Sequence, residues 1–302
     1  MPKIKPSARI AIIYFILGVL WILVSDSIVN LFVHDKKSIL EIQIFKGWFF
    51  VIVSSLLIYS LGAHYNRHLN NKIRELKNAN EDLKLFFYKA SHDLRGPIKS
   101  ILGLTNIIDL YLRSGELPIA INHIELSAKK ADHLIYDLEQ LTNIIEGPLN
   151  VAPINFHALI KKIIKYQYQN NHDLVDKIDF ALKVNIDNYE SNPYLIELAL
   201  EKVMENAIIF TAPFKDNPQI ETCVKSVSDG IEVSIKDNGI GIEGFQVNKI
   251  FNMFYRGTEA SKGSGLGLYI AKMAIERLNG KIWVKSTYRK ESTFTIFLPK
   301  VA

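Results

Sequence analysis

The chain has a single cysteine, Cys223, among 302 residues. No intrachain disulfide can form and no cysteine-built zinc site is available, so the soluble part reads as cytosolic. Charge of one sign is also lacking. The 36 Lys and Arg are offset by 31 Asp and Glu, for a net charge of +5. They are dispersed rather than gathered on one face, and no nucleic-acid partner is expected. Neither GxxxxGK[ST] nor an HRD followed by DFG occurs, which excludes two common nucleotide-binding designs.

Long apolar runs, by contrast, are present twice. Residues 10–33 and 44–63 are each about as long as a helix that crosses a hydrocarbon core, and the first lacks the cleavage site of a signal peptide. Two transmembrane helices are expected. Lys3, Lys5 and Arg9 precede the first run and Arg67, Lys72 and Arg74 follow the second, so both flanks read as cytoplasmic, although Lys36 and Lys37 between the runs blunt that signal. Residues 34–43 leave no space for an external ligand domain. Asp26 stands alone in the first run, either facing a helix interface or lying near the outer headgroups; Lys46 and Trp48 suit the interface at the start of the second.

From Tyr65 the composition turns polar. Leu69, Ile73, Leu76, Asn80, Leu83, Phe87, Ala90 and Leu94 recur at gaps of four and three, a heptad seam that predicts a continuous, self-pairing helix over 65–85 and beyond. His92 falls off that seam and should point outward. Gly96 and Pro97 follow, and the proline is expected to bend or loosen the helix just there. The helical pattern resumes to Ser114, "GELP" turns the chain, and residues 119–145 form a second amphipathic helix. Two helices bury little alone, so a dimer closing a four-helix bundle over residues 86–147 is the natural solution.

Beyond Gly147 and Pro148 the pattern changes to an α/β mixture over 150–302. Three short stretches in it bear on chemistry. Asn206, beside Glu205, lies late in an amphipathic helix, where its amide oxygen could hold a cation. "DNGIGI" ends a strand with Asp237, able to accept from an exocyclic amine, and with Gly239 and Gly241, which let backbone approach a flat ligand. "GSGLGL" sets Gly263, Gly265 and Gly267 at a helix start, where backbone donors favour phosphate. Each stretch alone could equally be an ordinary turn or helix face.

"FYKASHDLRGPIKSILGL" resembles the phospho-acceptor box of bacterial two-component sensor histidine kinases. The three later stretches, in order, resemble the asparagine box and the two glycine boxes of that family's ATP-binding domain, and "IFNMFYRG" is similar to its phenylalanine box. The likeness implies a multi-domain membrane protein: an anchor over 1–64, a signalling coiled coil over 65–85, a helical-hairpin dimerisation domain, and an α/β-sandwich ATP-binding domain. It implies a homodimer in the bacterial inner membrane with its kinase domains in the cytoplasm. His92 would be the phospho-acceptor and Asp93 its base and orienter. Asp237, Gly239 and Gly241 would take adenine, Asn206 would hold Mg²⁺, and Gly263, Gly265, Leu266, Gly267 and Arg256 would meet the phosphates of ATP. The final acceptor would be a separate response-regulator receiver domain.

Several positions depart from the family pattern. Gly96 replaces a Thr or Asn tied to dephosphorylating the partner, Lys202 replaces an Asn, Ile209 replaces a phosphate-facing Lys, and Lys290 and Glu291 erode the last glycine box. A pseudokinase that serves as a dimeric receptor is the alternative these changes keep open, and a chaperone-type ATPase is a third.

Overall fold

A computed structural model describes residues 6–32, 36–170, 172–186, 189–257 and 263–300. Lys3 and Lys5 of the first flank lie outside the described residues, as do the side chains of Arg9, Lys36 and Lys37. The chain divides into two units, Met1–Asp82 and Leu83–Ala302.

The first unit is helical. Helix α1 covers Pro6–Phe32, and α2 begins at Lys36 and continues to Asn106. Among the described residues one helix, Glu41–Asn106, is long and apolar enough to cross a membrane, and Tyr14–Val29 is a shorter apolar stretch. Phe15, Leu23, Phe45 and Trp48 are exposed, as side chains facing a non-aqueous solvent would be. Trp21 of α1 stacks on Phe49 and Phe50 of α2 at 5.7 and 6.2 Å between ring centroids. Lys46 pairs with Asp26 across the same two helices. The sequence reading gave Lys46 a place at the interface; here it neutralises the one acid of the first run.

The second unit starts within α2. The helix runs through Pro97 without a break and ends at Asn106, short of the Ser114 that the sequence pattern suggested. Proline still removes one N–H, so the carbonyl of Asp93, its i−4 partner, loses its helical donor. After a turn at Ile107 comes α3, Ile108–Ser114; Gly115 in left-handed backbone (φ 77°) closes it, and α4 follows over Leu117–Glu146. On α4, Leu134, Leu141 and Ile144 are buried together with Asp137 and Gln140. That apolar face rests on the α/β domain, whereas Ile119, Ile121 and Leu126, like Leu83 and Phe87 of α2, stay exposed.

The α/β domain contains β1 (Ala152–Pro153), α5 (Phe156–Asn170), α6 (His172–Val175), β2 (Asp179–Asn185), β3 (Glu190–Ser191), α7 (Pro193–Thr211), β4 (Gln219–Val227), β5 (Gly230–Asp237), α8 (Gly267–Arg277), β6 (Lys281–Thr287) and β7 (Glu291–Pro299). Five strands form one sheet in the order β2-β4-β5-β7-β6, parallel between β2 and β4 and antiparallel elsewhere; β1 and β3 pair separately. Strand alternation builds the core. Ile220 and Val224 on β4, Ile231, Val233 and Ile235 on β5, and Phe294, Ile296 and Leu298 on β7 are buried beneath α7 and α8. Helix α7 starts where it does because Asn192 accepts from the Leu195 N–H at 3.0 Å while Pro193 fills the first helical position.

Candidate functional site

The end of β5, the second half of α7 and the loop leading into α8 converge on one cavity of about 180 Å³. Its lining includes Asn206, Asp237, Gly241, Arg256, Gly263, Gly265 and Gly267, residues picked from stretches far apart in the chain. Gly239 does not line it but donates its N–H to Asp237 Oδ1 at 2.9 Å. Leu266 is fully buried in the core at the start of α8. His92 and Asp93 stand apart from the cavity, on α2.

Asp237 ends β5 between Ile220 of β4 and Ser292 of β7. Burial dominates and pushes its carboxyl up to about 6, while hydrogen bonds from the Gly239 and Ser292 backbones and nearby Thr211 pull the other way. Thr211 is fully buried close to that carboxylate, yet its hydroxyl makes no hydrogen bond of normal geometry. Thr211 does not line the cavity, whereas Asp237 does, so the carboxylate is the acceptor that a ligand with a donor edge would meet. Gly241 has φ 65°, and a side chain there would run into the Thr287 carbonyl. Gly265 has φ 74°, and a Cβ would stand 2.9 Å from the Phe254 carbonyl carbon. Both positions need glycine for conformation and for room.

Phe254 comes from the segment between the glycine loops. It adopts φ 59° and packs its ring on Phe86 of α2 at 6.2 Å, with the Lys89 ammonium 5.9 Å from the Phe254 ring centre. That segment thus reaches the helix that carries His92. The imidazole itself is open, with 70% of its side-chain surface exposed, and its Nδ1 lies 3.0 Å from Asp93 Oδ1. If Nδ1–H donates to the carboxylate, the ring's other nitrogen is left with a free lone pair. Gly96 is exposed, with open space where a side chain would go.

Several polar residues of the site went unread in the sequence. Lys202 of α7, already singled out as a departure from the family pattern, lines the same cavity as Ile209. It is buried and bonded to Asp137 Oδ1 of α4 at 2.9 Å, with Glu205 at 3.9 Å. Ser264, between two of the glycines, donates to Asp137 Oδ2 at 2.6 Å and accepts from the Leu266 N–H at 3.2 Å. His133 faces the same carboxylate at 3.6 Å. Burial alone would raise Asp137, but His133, Lys202 and Ser264 outweigh it and hold the carboxyl at about 2. A signal for Asp137 did exist: it continues the spacing of Leu134, Leu141 and Ile144, an acid on an apolar seam.

Among the described residues there is no cluster of three or more His, Cys, Asp or Glu side chains that could hold a metal unaided. Asn206 and Glu205 fit a Mg²⁺ that arrives with phosphate oxygens and keeps most of its waters.

Residues 191–302 match the family of histidine kinase-, DNA gyrase B- and HSP90-like ATPases. Sensor protein SrrB of Staphylococcus aureus is 32% identical over 235 residues, covering 74% of this chain and 39% of SrrB. The methanogenesis regulatory histidine kinase FilI of Methanothrix harundinacea is 27% identical over 237 residues, 76% of this chain and 26% of FilI. The chain therefore spans roughly a quarter to two-fifths of these relatives. In fold it is similar to histidine kinase AdeS of Acinetobacter baumannii (TM-score 0.57, 22% identity, 70% of this chain and 98% of that one). It is likewise similar to histidine kinase ThkA in complex with the response regulator TrrA (TM-score 0.59, 21% identity, 72% and 61%). With residues 191–302 in that ATPase family and histidine kinases similar over about three-quarters of its length, the chain is a homologue of the two-component sensor histidine kinases.

Proposed function

We propose that the chain is a membrane-bound, homodimeric sensor kinase that phosphorylates its own His92 from ATP and passes the phosphoryl group to an aspartate on a separate response regulator. Two spans anchor it in a bacterial inner membrane, residues 65–85 relay the signal, 86–147 dimerise and carry the phosphate, and 150–302 bind ATP in the cytoplasm. The cavity that gathers Asn206, Asp237, Arg256 and the glycine loops carries this reading. The exposed apolar seam of Leu83, Phe87, Ile119, Ile121 and Leu126 supports pairing with a second copy.

In this reading ionised Asp237 accepts from the adenine amine, and the Gly241 backbone completes the purine pocket. Backbone N–H groups of Gly265, Leu266 and Gly267 face the phosphates at the start of α8, with Arg256 beside them. Asn206 would hold a Mg²⁺ ion, which would supply positive charge against the phosphates. His92 Nε2 donates its lone pair to the γ-phosphorus. The bond to the β–γ bridging oxygen breaks, and ADP departs with that electron pair. The ring gains positive charge, which Asp93 stabilises by holding or taking the Nδ1 proton. Because His92 stands apart from the cavity, either the ATP-binding domain moves or a partner subunit's cavity meets the imidazole.

Full-length protein in lipid nanodiscs, incubated with Mg²⁺ and γ-labelled ATP, is expected to take up acid-labile, base-stable label that His92→Gln removes while nucleotide binding persists. Nucleotide binding with no label on wild type would favour the pseudokinase. Hydrolysis unchanged by His92→Gln would favour the chaperone-type ATPase.

A further inference from the structure

A carboxylate already sits where the phosphates are expected. Asp137 projects from α4 to the start of α8, where it accepts from Ser264 of the glycine loop at 2.6 Å and from Lys202 at 2.9 Å. Its side chain is 1% exposed and that of Lys202 3%. The lysine stem lies against the glycine loop: a Cβ built on Gly267 would stand 3.8 Å from Lys202 Cδ. Ile209, on the same helix and in the same cavity, carries no charge. The cavity therefore presents a buried cation and a hydroxyl at a helix N-terminus, and the anion they hold belongs to another domain of the same chain.

We propose that Lys202 and Ser264 form the seat for the terminal phosphates of the nucleotide, and that Asp137 is a tethered anion which occupies this seat until nucleotide displaces it. The inference rests on the nucleotide reading above. With Asp137 released, Lys202 keeps only the looser Glu205 carboxylate at 3.9 Å, so a closer anion is favoured in its place, and a triphosphate is one. Exchange of one anion for the other leaves Lys202 paired throughout. It also removes the contacts of Asp137 that fix the middle of α4 to α7 and to the α8 loop, leaving the Tyr194 hydroxyl on Gln140 as a remaining polar tie there, so nucleotide occupancy loosens residues 133–141 around Asp137. The end of α4 stays held, because Arg277 donates to the Gly147 carbonyl at 2.5 Å. An ATP-dependent release of the hairpin helix follows from the pairing of Lys202 and Ser264 with Asp137.

The test uses the full chain in nanodiscs, a non-hydrolysable ATP analogue with Mg²⁺, and adenosine as a phosphate-free control. Amide exchange across residues 133–141 should accelerate with the analogue and not with adenosine. Lys202→Gln should weaken analogue binding about tenfold or more, the size expected for one lost charge-assisted hydrogen bond, and leave adenosine binding unchanged. Asp137→Asn should strengthen analogue binding and speed exchange in α4 before any nucleotide is added; in the double variant with Lys202→Gln that gain should vanish. Exchange in α4 that is unchanged or slowed by the analogue, or a Lys202→Gln protein that binds it like wild type, overturns the proposal. Because Asp137→Asn leaves buried Lys202 with only the looser Glu205 carboxylate and can impair folding, the wild-type exchange and Lys202→Gln measurements decide without it. Wild type that binds neither probe sinks the nucleotide reading itself, a result distinct from analogue binding that Lys202 does not influence.

Discussion

The histidine turn and the nucleotide cavity are built on opposite principles. His92 is 70% exposed and has one polar partner, its own neighbour Asp93. Asp237 is 3% exposed and fixed by backbone donors from one strand and a loop. A group that must meet two successive partners, a nucleotide and then another protein, gains from openness; a group that must select one base gains from desolvation, which makes every unmatched hydrogen bond costly. Reactivity at His92 is thus local and portable, whereas recognition in the cavity depends on the whole sheet.

Changes that remove a local partner at the first site should spare the second, and the reverse. The largest effect is expected for Asp93→Asn: phosphorylation of His92 should slow about a hundredfold or more, in the range for loss of a general base, with ATP affinity unaltered in a binding titration. Equal losses in both would show that the turn and the cavity are not independent.

Asp237→Ala comes next. It should weaken ATP binding about tenfold to a hundredfold and leave the ability of His92 to accept phosphate from a small-molecule donor intact. The same residue sets a pH dependence. Its folded carboxyl titrates at about 6 against an ordinary value of 3.8. The folded state thus binds the proton more tightly, an advantage fully present below pH 3.8 and lost as pH rises through about 6. Nucleotide binding needs the ionised acceptor and moves the other way, so affinity measured by calorimetry should fall as pH drops below about 6, and Asp237→Ala should flatten that profile.

The smallest effect is expected at Gly96. An exposed glycine within a helix, with open space around it, should accept threonine with a gain of a few tenths of a kcal/mol in thermal unfolding. If the missing side chain is what restricts dephosphorylation of the regulator, Gly96→Thr should speed that reaction without changing ATP affinity.

Local chemistry was legible in the sequence; partnerships across elements were not. "DNGIGI" and "GSGLGL" declare themselves because glycine at φ 65° and φ 74° is a backbone requirement written at the position itself. His92 reads as outward because a heptad fixes which face it occupies. Asp137 did not read, since the value of an acid on α4 depends on the lysine and serine that docking brings to it from 65 and 127 residues away. The partner of Lys46 did not read for the same reason, because its pairing with Asp26 depends on how two helices are rotated against each other. Pro97 was expected to bend or loosen the helix, yet α2 runs through it to Asn106, because proline takes only one bond from the helix.

That one missing bond has a mechanical meaning. The carbonyl it leaves without a helical donor belongs to Asp93, so the turn that displays the imidazole bends more easily than an uninterrupted turn would. Under the proposed phosphotransfer, that softness would let the ring tilt toward a nucleotide and then toward a receiver without any unwinding.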